Sequence, residues 1–139
     1  MAVLLFVFQL TCVGAGAEEG TGYEYRGKRV SKDFFQAVLI AKDAQLLLNN
    51  NRLQEAADRL EEALRLAPDL SEAEVNLGNL LMRLGRLQEA VARLKHVVEN
   101  GSEIEEGWVN LGSAQASIGQ TADAVETYRA FLKRFPQSQ

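Results

Sequence analysis

The chain has 139 residues, of which 47% are hydrophobic and 24% charged, with two prolines and eleven glycines. Those values fit one soluble domain with few helix breakers. The formal net charge is only −4, and no run of Lys or Arg forms a continuous basic strip, which argues against a nucleic-acid partner.

The first object along the chain is residues 2–10, AVLLFVFQL, followed by small residues that end in Ala15-Gly16-Ala17. An apolar stretch closed by an A-x-A site is what a signal peptidase reads, so residues 1–17 are expected to be a signal peptide cleaved after Ala17. Export to a periplasmic or secreted compartment follows from that reading. No Lys or Arg precedes the stretch, the first being Arg26, so the alternatives of a mis-assigned start or a buried apolar arm stay open. The stretch falls short of the roughly 20 apolar residues that span a bilayer, so stable membrane insertion is not expected. Cys12 is the single cysteine and lies within this segment. Gln9-Leu10-Thr11-Cys12 lacks the leucine that a bacterial lipobox requires, and removal of the leader leaves no thiol for a disulfide or a metal.

Residues 18–30, EEGTGYEYRGKRV, are polar and glycine-bearing and show no period, so they read as a flexible arm. Ser31 can cap a helix beginning near Lys32, with Phe34 and Phe35 extending the next unit backward to shield its open end.

From there a repeat takes over. RLQEAADRL at 52–60 returns as RLQEAVARL at 86–94, with seven identities in nine positions at a separation of 34. Ala56, Ala90 and Ala124 keep the same separation, as do Leu60, Leu94 and Tyr128, and the turn-formers Asn51, Gly85 and Gly119. Three copies fit at 37–70, 71–104 and 105–138 within a domain of 31–139, and a fixed period of that length marks a helical repeat array. Inside each copy the apolar spacing is helical, as in Ala56, Leu60, Ala63 and in Ala90, Leu94, Val97, which predicts two short amphipathic helices per copy. Ser71 with Glu74 and Ser102 with Glu105 have capping-box spacing. Asn51, Gly85 and Gly119 suit the left-handed turn between the helices of a pair, and Pro68 and Pro136 end the second helices. Small residues at Ala44, Gly78 and Gly112 are expected to face Ala56, Ala90 and Ala124 across each pair.

On these residues the chain resembles the tetratricopeptide repeat family. Copy three supplies Trp108, Leu111, Gly112, Ala124, Tyr128 and Pro136; copy one Ile40, Ala44, Leu47, Ala56, Leu60, Ala63 and Pro68; and copy two Leu77, Gly78, Leu81, Ala90 and Leu94. Four residues depart from the family pattern: Asp43 for leucine, Glu74 for tryptophan, Gln115 at a bulky position and Phe131 at a small one. The resemblance implies an all-α fold, a right-handed superhelical array of antiparallel helix pairs.

Chemistry is nearly absent. His96 is the sole histidine, so neither a metal site nor a histidine acid/base pair is supported, and it reads as a helix-surface residue. Glu61, Glu62, Glu103, Glu105 and Glu106 read as solvent positions or caps. The early glycines follow no strand and open no βαβ unit, so no phosphate loop is indicated. Asn100-Gly101-Ser102 spells a glycosylation sequon but reads first as a helix stop followed by a cap. No enzyme activity and no cofactor are expected.

What remains is a surface. In a stacked array the first helices of successive pairs line a groove, and the expected lining is Val38, Lys42 and Gln45, then Val75, Asn76, Asn79, Met82 and Arg83, then Val109, Asn110 and Ser113. Asn76 and Asn110 are in register at 34 residues, and each carboxamide offers a donor and an acceptor with which to grip the main chain of an extended peptide. The pair is similar to the asparagine ladder in the repeats of the O-linked N-acetylglucosamine transferase; the bland counterpart is an asparagine bonded to a neighbouring helix. Family members that clamp a chaperone's terminal carboxylate use two lysines, an arginine and two asparagines. The matching positions here are Ala41, Gln45, Asn76, Glu106 and Asn110, where Glu106 would repel a carboxylate. The expected function is therefore an adaptor that binds a protein or peptide segment in its groove. A self-assembling structural module and a noncatalytic fragment of a larger enzyme or secretion complex stand as alternatives. Phe131, Leu132 and Phe135 near the last helix end suggest a homo-oligomer through the third repeat.

Overall fold

The computed structural model describes residues 22–138; the expected leader, its cleavage site and Cys12 lie outside them. Six helices follow a short hairpin: α1 (Lys32–Asn49), α2 (Leu53–Leu66), α3 (Ser71–Arg83), α4 (Leu87–Glu99), α5 (Glu105–Ser117) and α6 (Thr121–Arg134). Each odd helix packs on the even helix after it, α2 packs on α3, α4 packs on α5, and α5 also touches α3. The first helices thus share one side and the second helices the other, the layout of a helical solenoid.

The turns form where the chain can adopt positive φ. Asn51, Gly85 and Gly119 have φ of 57°, 75° and 83°. Beyond them the amides of Arg52, Arg86 and Gln120 donate to the carbonyls of Leu47, Leu81 and Gln115 at 2.9, 2.8 and 2.9 Å. This is the Schellman closure, which satisfies carbonyls that the helix end leaves open. Gly101, φ 73°, repeats it between α4 and α5, while α2 ends at Leu66, ahead of Pro68.

Helix starts agree with expectation at Ser31 and differ from it at both capping boxes. Ser31 caps α1, its hydroxyl accepting from the Phe34 amide at 3.1 Å. Neither capping box forms: Ser71 is already the first residue of α3, behind Leu70. Ser102 accepts instead from the Ile104 amide, at 3.1 Å, before α5 begins. The shared RLQE segments open α2 and α4 with an arginine–glutamate fork, Arg52 on Glu55 and Arg86 on Glu89. Both forks are exposed and contribute little stability.

The expected arm is also corrected, since its second half is a folded β-hairpin. β1 (Tyr23–Tyr25) pairs antiparallel with β2 (Lys28–Val30). Arg26 and Gly27 between them both have positive φ, 51° and 75°, the backbone of a two-residue type I′ turn. Alternation puts both tyrosines on one face, so Tyr23 stacks on Phe35 at 5.0 Å and Tyr25 tilts against Phe34 at 5.7 Å. That face is what holds the hairpin to α1.

Leu60, Leu77, Leu80, Leu81, Leu94 and Val97 are fully buried, and each contributes about 1.5–3 kcal/mol of hydrophobic burial. In the second and third pairs the glycine makes room for a large side chain of the facing helix. A Cβ on Gly78 would lie 2.6 Å from Leu94 Cγ and Cδ2, and one on Gly112 2.6 Å from Tyr128 Cζ.

Three of the four departures are matched by a second residue. Gln115 is buried and accepts from the Thr127 hydroxyl at 2.7 Å. Phe131 packs on Phe135 at 5.4 Å, and Phe135 meets Trp108 edge-on at 6.2 Å. Phe135 therefore belongs to the packing of the last pair, not to a free patch. Glu74 is buried with both carboxylate oxygens 2.9 and 3.1 Å from His96 Nδ1. Asn100 Nδ2 lies 3.1 Å from His96 Nε2, so the ring bridges Glu74 of α3 and the end of α4. His96 is exposed on α4, as expected of a helix-surface residue, and from there its ring nitrogen reaches the buried Glu74 carboxylate. His96→Ala is expected to strand the carboxylate and cost about 1–3 kcal/mol, whereas His96→Ala with Glu74→Leu removes both partners and recovers most of it. Thermal melts of the two proteins check this; equal losses would deny the pairing a stabilising role.

Candidate functional site

The expected groove residues divide into two rows. Val38 and Val75 are buried, so neither lines a surface. Val38 is part of the first core cluster. Val75 is covered by the next repeat, since a Cβ on Gly107 would approach its Cγ2 to 3.1 Å. Val109 stands one repeat after Val75 and, with no helix following α6 among the described residues, is exposed. Val75 and Val109 belong to the row that joins one repeat to the next. Met82 is half-buried against both core clusters.

The polar members form the second row, on the outer face of α1, α3 and α5. Lys42, Asn76, Asn79, Asn110 and Ser113 are half-buried, and Gln45 and Arg83 are exposed. Gln45 Nε2 donates to Asn49 Oδ1 at 3.4 Å. Asn79 Nδ2 donates to Glu106 Oε1 at 3.2 Å, tying α3 to α5. Ser113 gives its carbonyl to the Ser117 hydroxyl at 2.9 Å. The two asparagines in register differ from all of these. Asn76 makes no side-chain bond among the described residues, and Asn110 Nδ2 is buried with no partner. A stranded donor of that kind costs about 1–3 kcal/mol, which an incoming carbonyl can offset.

The hairpin reaches the near end of this row. Tyr25 donates its hydroxyl to Glu72 Oε2 at 2.8 Å, and Arg26 Nη1 sits 2.5 Å from Glu72 Oε1. Burial pushes the Tyr25 phenol above its ordinary pKa, and the bond to the Glu72 carboxylate adds to the shift. Glu72 and Glu106 are themselves 34 apart, so the same period that marks the asparagines also marks the carboxylates at the rim. Sequence reasoning passed over Glu72. Among the described residues no group of His, Cys, Asp and Glu side chains could hold a metal ion, and no helix is long and apolar enough to cross a membrane.

A solenoid of helix pairs with a polar row along its first helices defines a class of protein-interaction repeat, and sequence models name it. Two models, each described as tetratricopeptide repeat, match residues 47–103 and 106–138. The chain belongs to the tetratricopeptide repeat family. No curated protein matches it in a sequence comparison. Among solved structures, the Arabidopsis OM64 TPR domain is similar at a TM-score of 0.70 with 15% identity, over 76% of this chain and 87% of that one. The N-terminal domain of stress-induced protein-1 (STI-1) from C. elegans is similar at 0.70 with 17% identity, over 76% and 89%. The second TPR of Spaghetti (RPAP3), bound to the HSP90 peptide SRMEEVD, is similar at 0.68 with 11% identity, over 73% and 94%. At such identities the likeness establishes the fold alone.

Proposed function

We propose that this protein is a noncatalytic adaptor that holds an extended segment of a partner protein along α1, α3 and α5, gripping its main chain through Asn76 and Asn110. The observation that carries the reading is the stranded Asn110 Nδ2, in register with an equally unengaged Asn76. A rotation of the carboxamide that brings that donor to the surface lets it meet a ligand carbonyl and offsets the cost of its burial. The solved relatives bound to an HSP90 peptide support a peptide ligand in general. A terminal-carboxylate clamp is not part of the proposal, because Ala41 and Gln45 carry no positive charge and the exposed Glu106 carries a negative one. The test is capture of partners from native extract on immobilised protein, with the groove intact and with Asn76→Ala/Asn110→Ala. A partner lost from the second column places it in the groove; a partner retained equally on both places it elsewhere.

We also propose that the adaptor works outside the cytoplasm, on the strength of the apolar run and the Ala15-Gly16-Ala17 site. Mass spectrometry of protein from its native cells is expected to find Glu18 at the amino terminus. Intact residues 1–17 on the cytosolic protein would remove the export reading.

A further inference from the structure

The two ends of the solenoid are chemically unequal. Within the chain, the second helix of one repeat is covered by the first helix of the next, so Ala57, Leu60 and Leu64 of α2 are buried, as are Val91 and Leu94 of α4. The same repeat positions on α6 are Val125, Tyr128 and Leu132, at 41%, 37% and 43% exposure, and Val109 beside them on α5 is at 41%. These four side chains form one apolar face at the tail.

The head of a second copy does not fit that face. The positions on α3 and α5 that receive a preceding repeat are small, Ala73 and Gly107, then apolar, Leu77 and Leu111. On α1 they are Leu39 and Asp43. Gly107 leaves a Cβ only 3.1 Å from Val75, so Leu39 is too large for the same packing against Val109, and Asp43 would bring a charge where leucine is needed. The hairpin further covers this end of α1, with Tyr23 stacked on Phe35. Head-to-tail stacking, which would not close, is blocked at the head.

The tail fits itself. Along one flank of that face α6 exposes Glu126 in its N-terminal half and Arg129 and Lys133 in its C-terminal half, whereas Arg134 is turned to Glu103 and the Gly101 carbonyl. Two copies of such a helix are complementary when antiparallel and repulsive when parallel, and antiparallel macrodipoles agree. We infer that the tail face is the contact of a two-fold dimer of this chain. In it α6 packs antiparallel on α6 of a second copy about Tyr128, Val125 meets Leu132 of the other copy, and Glu126 lies beside the other copy's Arg129 and Lys133. Four apolar side chains make a patch smaller than the roughly 800 Å² per partner of a standard stable interface, so the dimer is weak and reversible.

Sedimentation of the 139-residue protein from about 1 to 300 µM tests this, a range that brackets a micromolar equilibrium. The expected result is a monomer–dimer equilibrium with no larger species, shifted at least tenfold toward monomer by Leu132→Glu. Glu126→Lys alone and Arg129→Glu/Lys133→Glu alone should each be monomeric with unchanged helicity, while their equimolar mixture dimerises again. A monomer throughout for the unaltered chain would assign the face to a different helix. A dimer that survives Leu132→Glu, charge variants that fail to rescue one another, or species that keep growing with concentration would equally overturn the two-fold contact.

Discussion

Leu94→Ala is expected to destabilise the protein by about 2–5 kcal/mol, a large share of the 5–15 kcal/mol that holds a domain folded. Leu94 is fully buried in the cluster formed with Val91, Leu111 and Ala114, and its side chain lies over Gly78. It therefore binds α3, α4 and α5 together, and its loss opens a cavity that three helices would have to close. A drop in Tm of roughly 10 °C follows for a chain of this size. The pair with Gly78 sharpens the test. Gly78→Ala alone gains about 1 kcal/mol of helix propensity but forces a Cβ to within 2.6 Å of Leu94, an overpacking that cancels or exceeds the gain. With Leu94→Ala present that Cβ fills space, so Gly78→Ala should become stabilising. Circular-dichroism melts of the four proteins measure the coupling, and simple additivity would mean that the two residues do not meet.

Asn76→Ala/Asn110→Ala is the substitution with the largest expected effect on binding. Each lost hydrogen bond is worth about 1 kcal/mol, and more where a ligand group is left stranded, so the pair should weaken a groove-bound partner by roughly 2–4 kcal/mol. That is about 30-fold to 1,000-fold in Kd. Stability should move the other way, because Asn110 Nδ2 has no partner in the free protein and its removal takes away an unsatisfied buried donor. Titration calorimetry and thermal melts on the same samples read both effects. Weaker binding accompanied by a lower Tm would describe structural asparagines rather than ligand-binding ones.

The parts of this fold that could be read from sequence are those whose physics is local or repeats. Asn51, Gly85 and Gly119 were legible because few residues accept a positive φ. The helix pairs were legible because Leu60 and Leu94 recur at a fixed interval. Ser71 misled because capping-box spacing says nothing of the turn before it, where the Ser71 amide bonds the Asp69 carbonyl and the chain is already entering α3. The hairpin escaped because strands of three residues are too short to show a period. Its signal was Arg26-Gly27 between Tyr25 and Lys28, a two-residue turn flanked by tyrosines that alternate with a charge. Glu74 with His96 is a contact between two helices 22 residues apart, and only the packing of α3 on α4 reveals it.

The groove was harder to read than the fold. Helical spacing places Val75 and Asn76 side by side, yet a single residue separates a row covered by the next repeat from a row left open, and the approach of Gly107 decides which is which. The register of Asn76 and Asn110 was visible at 34 residues. That one carboxamide nitrogen is buried without a partner was not, since it depends on every neighbour at once.

The most direct test of the groove reading follows the side-chain amides of Asn76 and Asn110 by nuclear magnetic resonance while a partner segment is added to saturation. Both NH₂ groups are expected to shift and exchange more slowly with water as they engage the ligand main chain, while the resonances of α2 and α4 stay in place. Unmoved asparagine amides, with changes confined to α2, α4 or α6, would contradict it.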